Sequence, residues 1–216
     1  MPVTHATIAA NLAEQLHDNE IHVWHLVYRQ SLRRQPLHAL LAAYLGIDAQ
    51  RLSLVDDPYG RPALAPLHDQ SLGFNWSHSG AHALIAVGRR ITPGIDIEQR
   101  RSRPRALEIA RRFFSVEEAA ALAALPADQR SAAFLDVWTA KEAVLKALGR
   151  GLAFGLHRLS IARSDSGLLL RQLEDDDVSA WQLQSLSIDP ALVAALAWRG
   201  AARTLRHFTL AEVDEA

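Results

Sequence analysis

Three short segments combine residue types that phosphate chemistry uses. In Gly94-Ile-Asp96-Ile-Glu98, apolar and acidic residues alternate. In an extended chain, side chains two apart share a face and lie about 7 Å from each other. Ile95 and Ile97 then turn to the core while Asp96 and Glu98 project together. Neighbouring carboxylates repel unless positive charge lies between them, and a hard cation such as Mg²⁺ accepts carboxylates together with phosphate oxygens. Taken alone, the segment fits a solvent-facing strand edge equally well, since Asp and Glu are ordinarily exposed.

The second segment is Trp138-Thr-Ala-Lys141-Glu142-Ala-Val-Leu-Lys146. At about 100° per residue, Phe134, Val137, Trp138, Val144, Leu145 and Leu148 gather on one helix face, with Lys141 near its centre. A lysine inside an apolar stripe is costly unless its ammonium meets an anion; snorkelling along apolar neighbours is the plainer alternative. Glu142 and Lys146 border the stripe as i,i+4 neighbours, a spacing that also serves an ordinary surface ion pair. Glu142 can add a third carboxylate to a metal held by Asp96 and Glu98. Of the 23 basic residues only Lys141 and Lys146 are lysines. Lysine offers a compact, rotatable charge where arginine offers a planar fork.

The third segment, Phe74-Asn-Trp-Ser77-His78-Ser79-Gly80, brings hydroxyls and an imidazole to a strand end before a turn. Such a place can hold a phosphate, although serine and glycine are also ordinary turn residues. Beside the acidic strand run Arg100, Arg101, Arg103, Arg105, Arg111 and Arg112. They make either a solvated face or a docking surface for an acidic macromolecule. Nucleic acid is disfavoured, because the net charge is −1 and no aromatic residue interleaves the run.

These segments need a frame. Strands are predicted at Ile21 to Tyr28, Phe74 to Ser79, Ala83 to Gly88 and Gly94 to Glu98, with a hairpin turning at Gly80. Helical spacing covers Gln35 to Leu45, Pro104 to Phe113, a segment opened by the capping-box spacing of Ser115 and Glu118, and about Gln129 to Leu148. Asp56 to Gly60 reads as turn punctuation. Short strands follow at Arg158 to Ala162, Leu168 to Leu173, Ala180 to Leu186, Leu192 to Trp198 and His207 to Leu210. The expected class is α+β, a pseudo-twofold arrangement of two similar halves, 1–92 and 93–216, each a small, largely antiparallel sheet on a long helix.

The 216 residues, 49% hydrophobic and 22% charged, suffice for a packed core and exclude wholesale disorder. Without cysteine there are no disulfides, thiolate metal sites or thiol nucleophiles. No apolar run approaches the roughly 18 residues of a membrane span. Met1 to Leu16, broken by Asn11, Glu14 and Gln15, lacks a signal-peptide core. A cytoplasmic enzyme or binding protein is the expectation, with no membrane and no nucleic-acid partner.

Asn75 to Ser79, Gly94 to Glu98 and Trp138 to Lys146, in that order with about 15 and 40 residues between them, resemble the 4′-phosphopantetheinyl transferases of the surfactin-synthetase-activating type. The likeness covers roughly residues 37 to 162, and Phe113-Phe-Ser115 fits it too. It implies transfer of 4′-phosphopantetheine from coenzyme A to a serine of an acidic acyl or peptidyl carrier protein, releasing adenosine 3′,5′-bisphosphate. It implies Mg²⁺, or Mn²⁺ in its place, held by Asp96, Glu98 and Glu142, and a single-chain, monomeric enzyme. Ser77 and His78 would meet coenzyme A phosphates, His78 the 3′-phosphate. Lys141 and Lys146 would face the phosphates, Lys146 neutralising the leaving group. Arg61, in Gly60-Arg61-Pro62, stands where the family has a lysine beside the adenine and 3′-phosphate. Glu142 is the first choice for the base that takes the serine proton.

One departure concerns the segment after the first strand, which runs almost directly into Ser31-Leu-Arg33-Arg34. The family's basic helical stretch is shortened here, and Arg33 or Arg34 is expected to replace its grip on the 3′-phosphate. Two other readings of the same residues remain: a metal-dependent phosphodiesterase or pyrophosphatase that activates water, and a non-catalytic coenzyme A-binding protein.

Overall fold

A computed structural model describes residues 14–164 and 167–210. Most of the N-terminal stretch read for a signal peptide, residues 1–13, lies outside them. Contacts divide the chain into two units. The first holds residues up to Thr92 together with those from Ala202 onward, and the second holds Pro93–Ala201. The segment after residue 201, expected in the second half, therefore belongs to the first.

In the first unit, β1 (Glu20–Val27) is followed by α1 (Gln35–Leu45), β2 (Leu54–Asp56), β3 (Pro62–Leu64), β4 (Leu72–Ser79) and β5 (His82–Arg89). Pro36 opens α1, and Gly46 closes it in the left-handed conformation at φ 63°, which costs glycine little. Leu37, Leu40, Leu41 and Tyr44 of α1 pack with Trp24, Leu26, Phe74, Ile85 and Val87. The turn-rich stretch around Asp57 forms the β2–β3 hairpin, absent from the sequence reading because each strand has only three residues. The last described strand, β11 (Thr204–Leu210), lies parallel to β1 and completes the sheet order β11-β1-β5-β4.

In the second unit, β6 (Gly94–Gln99) precedes α2 (Ala106–Phe113), α3 (Val116–Ala124) and α4 (Ala127–Leu148). Then come β7 (Leu159–Ser164), β8 (Gly167–Leu173), β9 (Trp181–Leu186) and β10 (Leu192–Arg199). Strands β6, β10 and β9 form one antiparallel sheet, and β7 with β8 form a separate hairpin. Ser115 caps α3 with both bonds of the capping box. Helix α4 is not a one-sided amphipathic helix: from Thr139 to Leu145 every residue but Glu142 is buried. Sheet residues Val193, Ala195 and Ala197 share its core with Phe114, Leu122, Leu159 and Ile161.

What fixes α4 against β6 is an absence of side chain. A Cβ on Gly94 would run into the carbonyl of Ala143 and the amide of Ala147. Backbone thus meets backbone, and no rotamer change can make room. Gly94→Ala is expected to lower stability by about 2 kcal/mol or more, the upper part of the overpacking range, read as a shift of the denaturation midpoint.

Candidate functional site

Gly94, Asp96 and Glu98 lie on one face of β6 by strand alternation, and the contact at Gly94 shows that this face meets α4. The carboxylates therefore point at the helix, while Ile95 and Ile97 are buried on the other side. Glu142 and Lys146 sit one residue before Ala143 and Ala147, so the helix turns that seat Gly94 also carry these two side chains to β6. Lys146 Nζ donates to Asp96 Oδ1 at 2.7 Å and to the Ile95 carbonyl at 3.0 Å. Arg103 Nη2 donates to Glu98 Oε2 at 3.2 Å. Both acids of β6 therefore face a cationic side chain.

Glu142 is in a different state. Burial pushes its carboxyl up to about 7, the negative charges of Asp96 and Glu98 add to the rise, and Lys146 opposes it. Its Oε1 is buried without a hydrogen-bond partner among the described residues. An oxygen so placed, beside two further carboxylates, has the chemistry of a hard-cation ligand. Among the described residues no group of three histidine, aspartate or glutamate side chains is arranged as a ready metal cage. The donor atoms of this group are all carboxylate oxygens, and Lys146 and Arg103 hold the two acids of β6.

Lys141 departs from its expected place. It is fully buried, 2.7 Å from Glu118, and donates to the carbonyls of Leu156 at 2.8 Å and Leu159 at 2.5 Å. The anion demanded by a lysine in an apolar stripe comes from the protein itself, so Lys141 does not face a phosphate. Burial pulls its ammonium below the usual lysine range, against the pull of Glu118. In sequence, Glu118 showed only its capping role; the unanswered charge of Lys141 was the signal that a buried acid had to exist.

In the first unit, Tyr28, Arg33, Arg34, Trp76 and His78 line an open groove of about 600 Å³. His78 stacks on Tyr28 with ring centroids 4.7 Å apart. Arg34 donates to Asp56 at 2.7 Å. Arg33 holds φ 47°, an uncommon left-handed conformation for a non-glycine residue, at the entry to α1. Thus Arg33, Arg34 and His78 come together. Arg61 and Ser77 do not join them. Arg61 pairs with Asp57 at 3.2 Å and lines a separate recess of about 260 Å³ with Phe74 and Arg90. Ser77 is buried and, by strand alternation, leaves β4 on the face opposite His78.

The chain is similar to known proteins. Residues 92–197 match the model of the 4′-phosphopantetheinyl transferase superfamily. The 4′-phosphopantetheinyl transferase HetI of Nostoc sp. is 36% identical over 165 residues, 76% of this chain and 68% of that protein. The 4′-phosphopantetheinyl transferase Sfp of Bacillus subtilis is 30% identical over 160 residues, 74% of this chain and 69% of that protein. A protein of Synechocystis sp. that bears the transferase name provisionally is 35% identical over 154 residues, 70% of this chain. The match spans 61% of the Synechocystis protein's own length, less than two thirds. The superfamily match takes in the whole acidic strand and all of α4, the two elements that converge at Gly94. The chain belongs to the 4′-phosphopantetheinyl transferase superfamily.

Proposed function

We propose that the chain transfers 4′-phosphopantetheine from coenzyme A to a serine hydroxyl of an apo carrier protein and releases adenosine 3′,5′-bisphosphate. The observation that carries this reading is the meeting of Asp96, Glu98 and Glu142 beside the ammonium of Lys146. The serine oxygen forms a bond to the phosphorus next to pantetheine, and the bond from that phosphorus to the bridging oxygen breaks. Glu142, beside the two acids of β6, is the candidate to take the serine proton, directly or through a water. Lys146 offsets the charge that grows on the departing nucleotide phosphate. Asp96, Glu98 and Glu142 would hold Mg²⁺, or Mn²⁺ in its place, and the ion supplies charge stabilisation at the pyrophosphate.

Arg33, Arg34 and His78 are assigned to the 3′-phosphate of coenzyme A on the strength of their shared groove. Arg61 and Ser77 stay as contacts on the family likeness alone. For the carrier protein, the arginine run is narrower than its sequence implies. Arg103 is engaged with Glu98 and Arg105 with Glu108, while Arg101, Arg111 and Arg112 are exposed, Arg112 over the ring of Phe113, itself 42% exposed. That surface complements an acidic partner. No helix among the described residues is long and apolar enough to cross a membrane. A single-chain enzyme in the cytoplasm goes with this reading and rests on the family likeness.

Incubation with coenzyme A, Mg²⁺ and apo-carrier proteins should add about 340 Da to the carrier, seen by intact-mass spectrometry. Glu142→Gln should slow that transfer by about 10²-fold or more with the circular dichroism spectrum unchanged. Release of phosphopantetheine without modified carrier would mean hydrolysis, and coenzyme A binding without turnover would mean a binding protein.

The Glu142 carboxyl also makes the metal-free protein sensitive to pH. Its folded value lies above the unfolded one, so the group is neutral in both states below about pH 4.5 and carries no penalty. Between there and pH 8 ionisation costs the fold increasingly. Metal-free parent should lose on the order of 2 kcal/mol relative to Glu142→Gln between pH 5 and 8, and Mg²⁺ should return it to the parent alone. Thermal melts at the two pH values check both statements.

Replacing Arg33 and Arg34 together by alanine should weaken coenzyme A binding while leaving dephospho-coenzyme A binding almost unchanged. Calorimetry on both ligands decides, and an unchanged preference for coenzyme A would remove the two arginines from the site.

A further inference from the structure

We propose that Lys141 is a positioning residue, forming with Glu118 a buried pin that fixes the roll of α4 and hence the direction in which Glu142 and Lys146 leave the helix. What those two side chains then do rests on the transferase reading above; the pin itself does not.

An ammonium has three donors and no acceptor. Those of Lys141 are taken up by the Glu118 carboxylate and the carbonyls of Leu156 and Leu159. The ring of Phe114 lies 4.9 Å from Nζ. No donor is left for a phosphate. Glu118 is equally committed: its Oε2 accepts from the Ser115 amide at 2.9 Å, and its Oε1 accepts from the Ile161 amide at 2.7 Å. Two side chains thus tie together the start of α3, the middle of α4, the turn at 156–158 and β7.

Residue 141 lies about 100° round the helix from 142 and about 140° from 146, so the pin grips a flank that the reacting side chains do not use. With side chains reaching about 5–6 Å from the helix axis, a 20° roll displaces their ends by about 2 Å. A misplacement of about 1 Å can cost about 10²-fold in rate. The pin also accounts for lysine at position 141 in a chain that uses arginine at all but two of its basic positions. Three acceptors converging on one nitrogen suit a rotatable ammonium, not a planar guanidinium.

The test compares the parent with Lys141→Met and with Lys141→Met/Glu118→Gln, in which neither charge is left alone should the single variant fail to fold. Amide hydrogen exchange over residues 152–161 should quicken at least tenfold. The dissociation constant for Mn²⁺, followed by electron paramagnetic resonance, should rise at least fivefold at unchanged stoichiometry. Coenzyme A affinity should stay within twofold, and kcat should fall at least tenfold at unchanged KM for coenzyme A. A tenfold loss of coenzyme A affinity with exchange unchanged would overturn the pin in favour of a phosphate contact. Faster exchange with Mn²⁺ affinity unchanged would overturn positioning, leaving a fold element only. A parent that transfers nothing would sink the transferase reading, and exchange with the two affinities would still decide the pin.

Discussion

The contact of β6 with α4 is made by main chain on both sides, and the rest of the second unit is organised around it. Where Gly94 touches the turns at Ala143 and Ala147, strand and helix approach more closely than any side chain would permit. That closeness brings a lysine on the helix within 2.7 Å of an aspartate two residues along the strand. It also leaves Glu142 enclosed beside both acids of β6. A larger residue at 94 would separate the elements by a side-chain layer, and the carboxylates would act as three independent surface charges. Small residues at 143 and 147 complete the fit from the helix side.

Enclosure creates an electrostatic problem that the unit solves only in part. Asp96 and Glu98 receive cations from Lys146 and Arg103. Glu142 receives only the more distant influence of Lys146, and its proton is held more tightly as a result. Lys141 and Glu118 show the opposite outcome a few ångströms along the same helix, where two opposite charges and surrounding amides satisfy each other completely. Helix α4 therefore carries side chains of a settled polar cluster and of an unsettled one. Structural ion pairs tend to be closed networks, whereas sites that receive ligands keep unsatisfied capacity.

Much of this was legible in the amino-acid order because local rules and tertiary context agree. The β4–β5 hairpin at Gly80, the capping box of Ser115 and Glu118, and the alternation through Asp96 and Glu98 are short-range signals, and each element stands within a few residues of its expected bounds. Four features were not. Periodicity marks Lys141 as buried but cannot say whether its anion is a ligand or Glu118, since the partner comes from another helix. The β2–β3 hairpin is too short for alternation to rise above its turn residues. That the acid face of β6 meets a helix and not solvent depends on Gly94 having no side chain, which periodicity treats as neutral. The pairing of Arg61 with Asp57 in a recess of its own is likewise invisible to spacing, whereas Ser77 and His78, adjacent on β4, take opposite faces by simple alternation.

The parallel pairing of β11 with β1 sets an order of events during synthesis. Residues 93–201 form a contiguous unit and can assemble as soon as they have left the ribosome. The sheet of the other unit must wait with one side of β1 uncovered until residues 204–210 are made. Such long sequence separation slows assembly and lengthens exposure of an unpaired edge. The nascent chain is thus most open to aggregation or chaperone capture at β1, which is made before every other described strand while its partner β11 is made after them all.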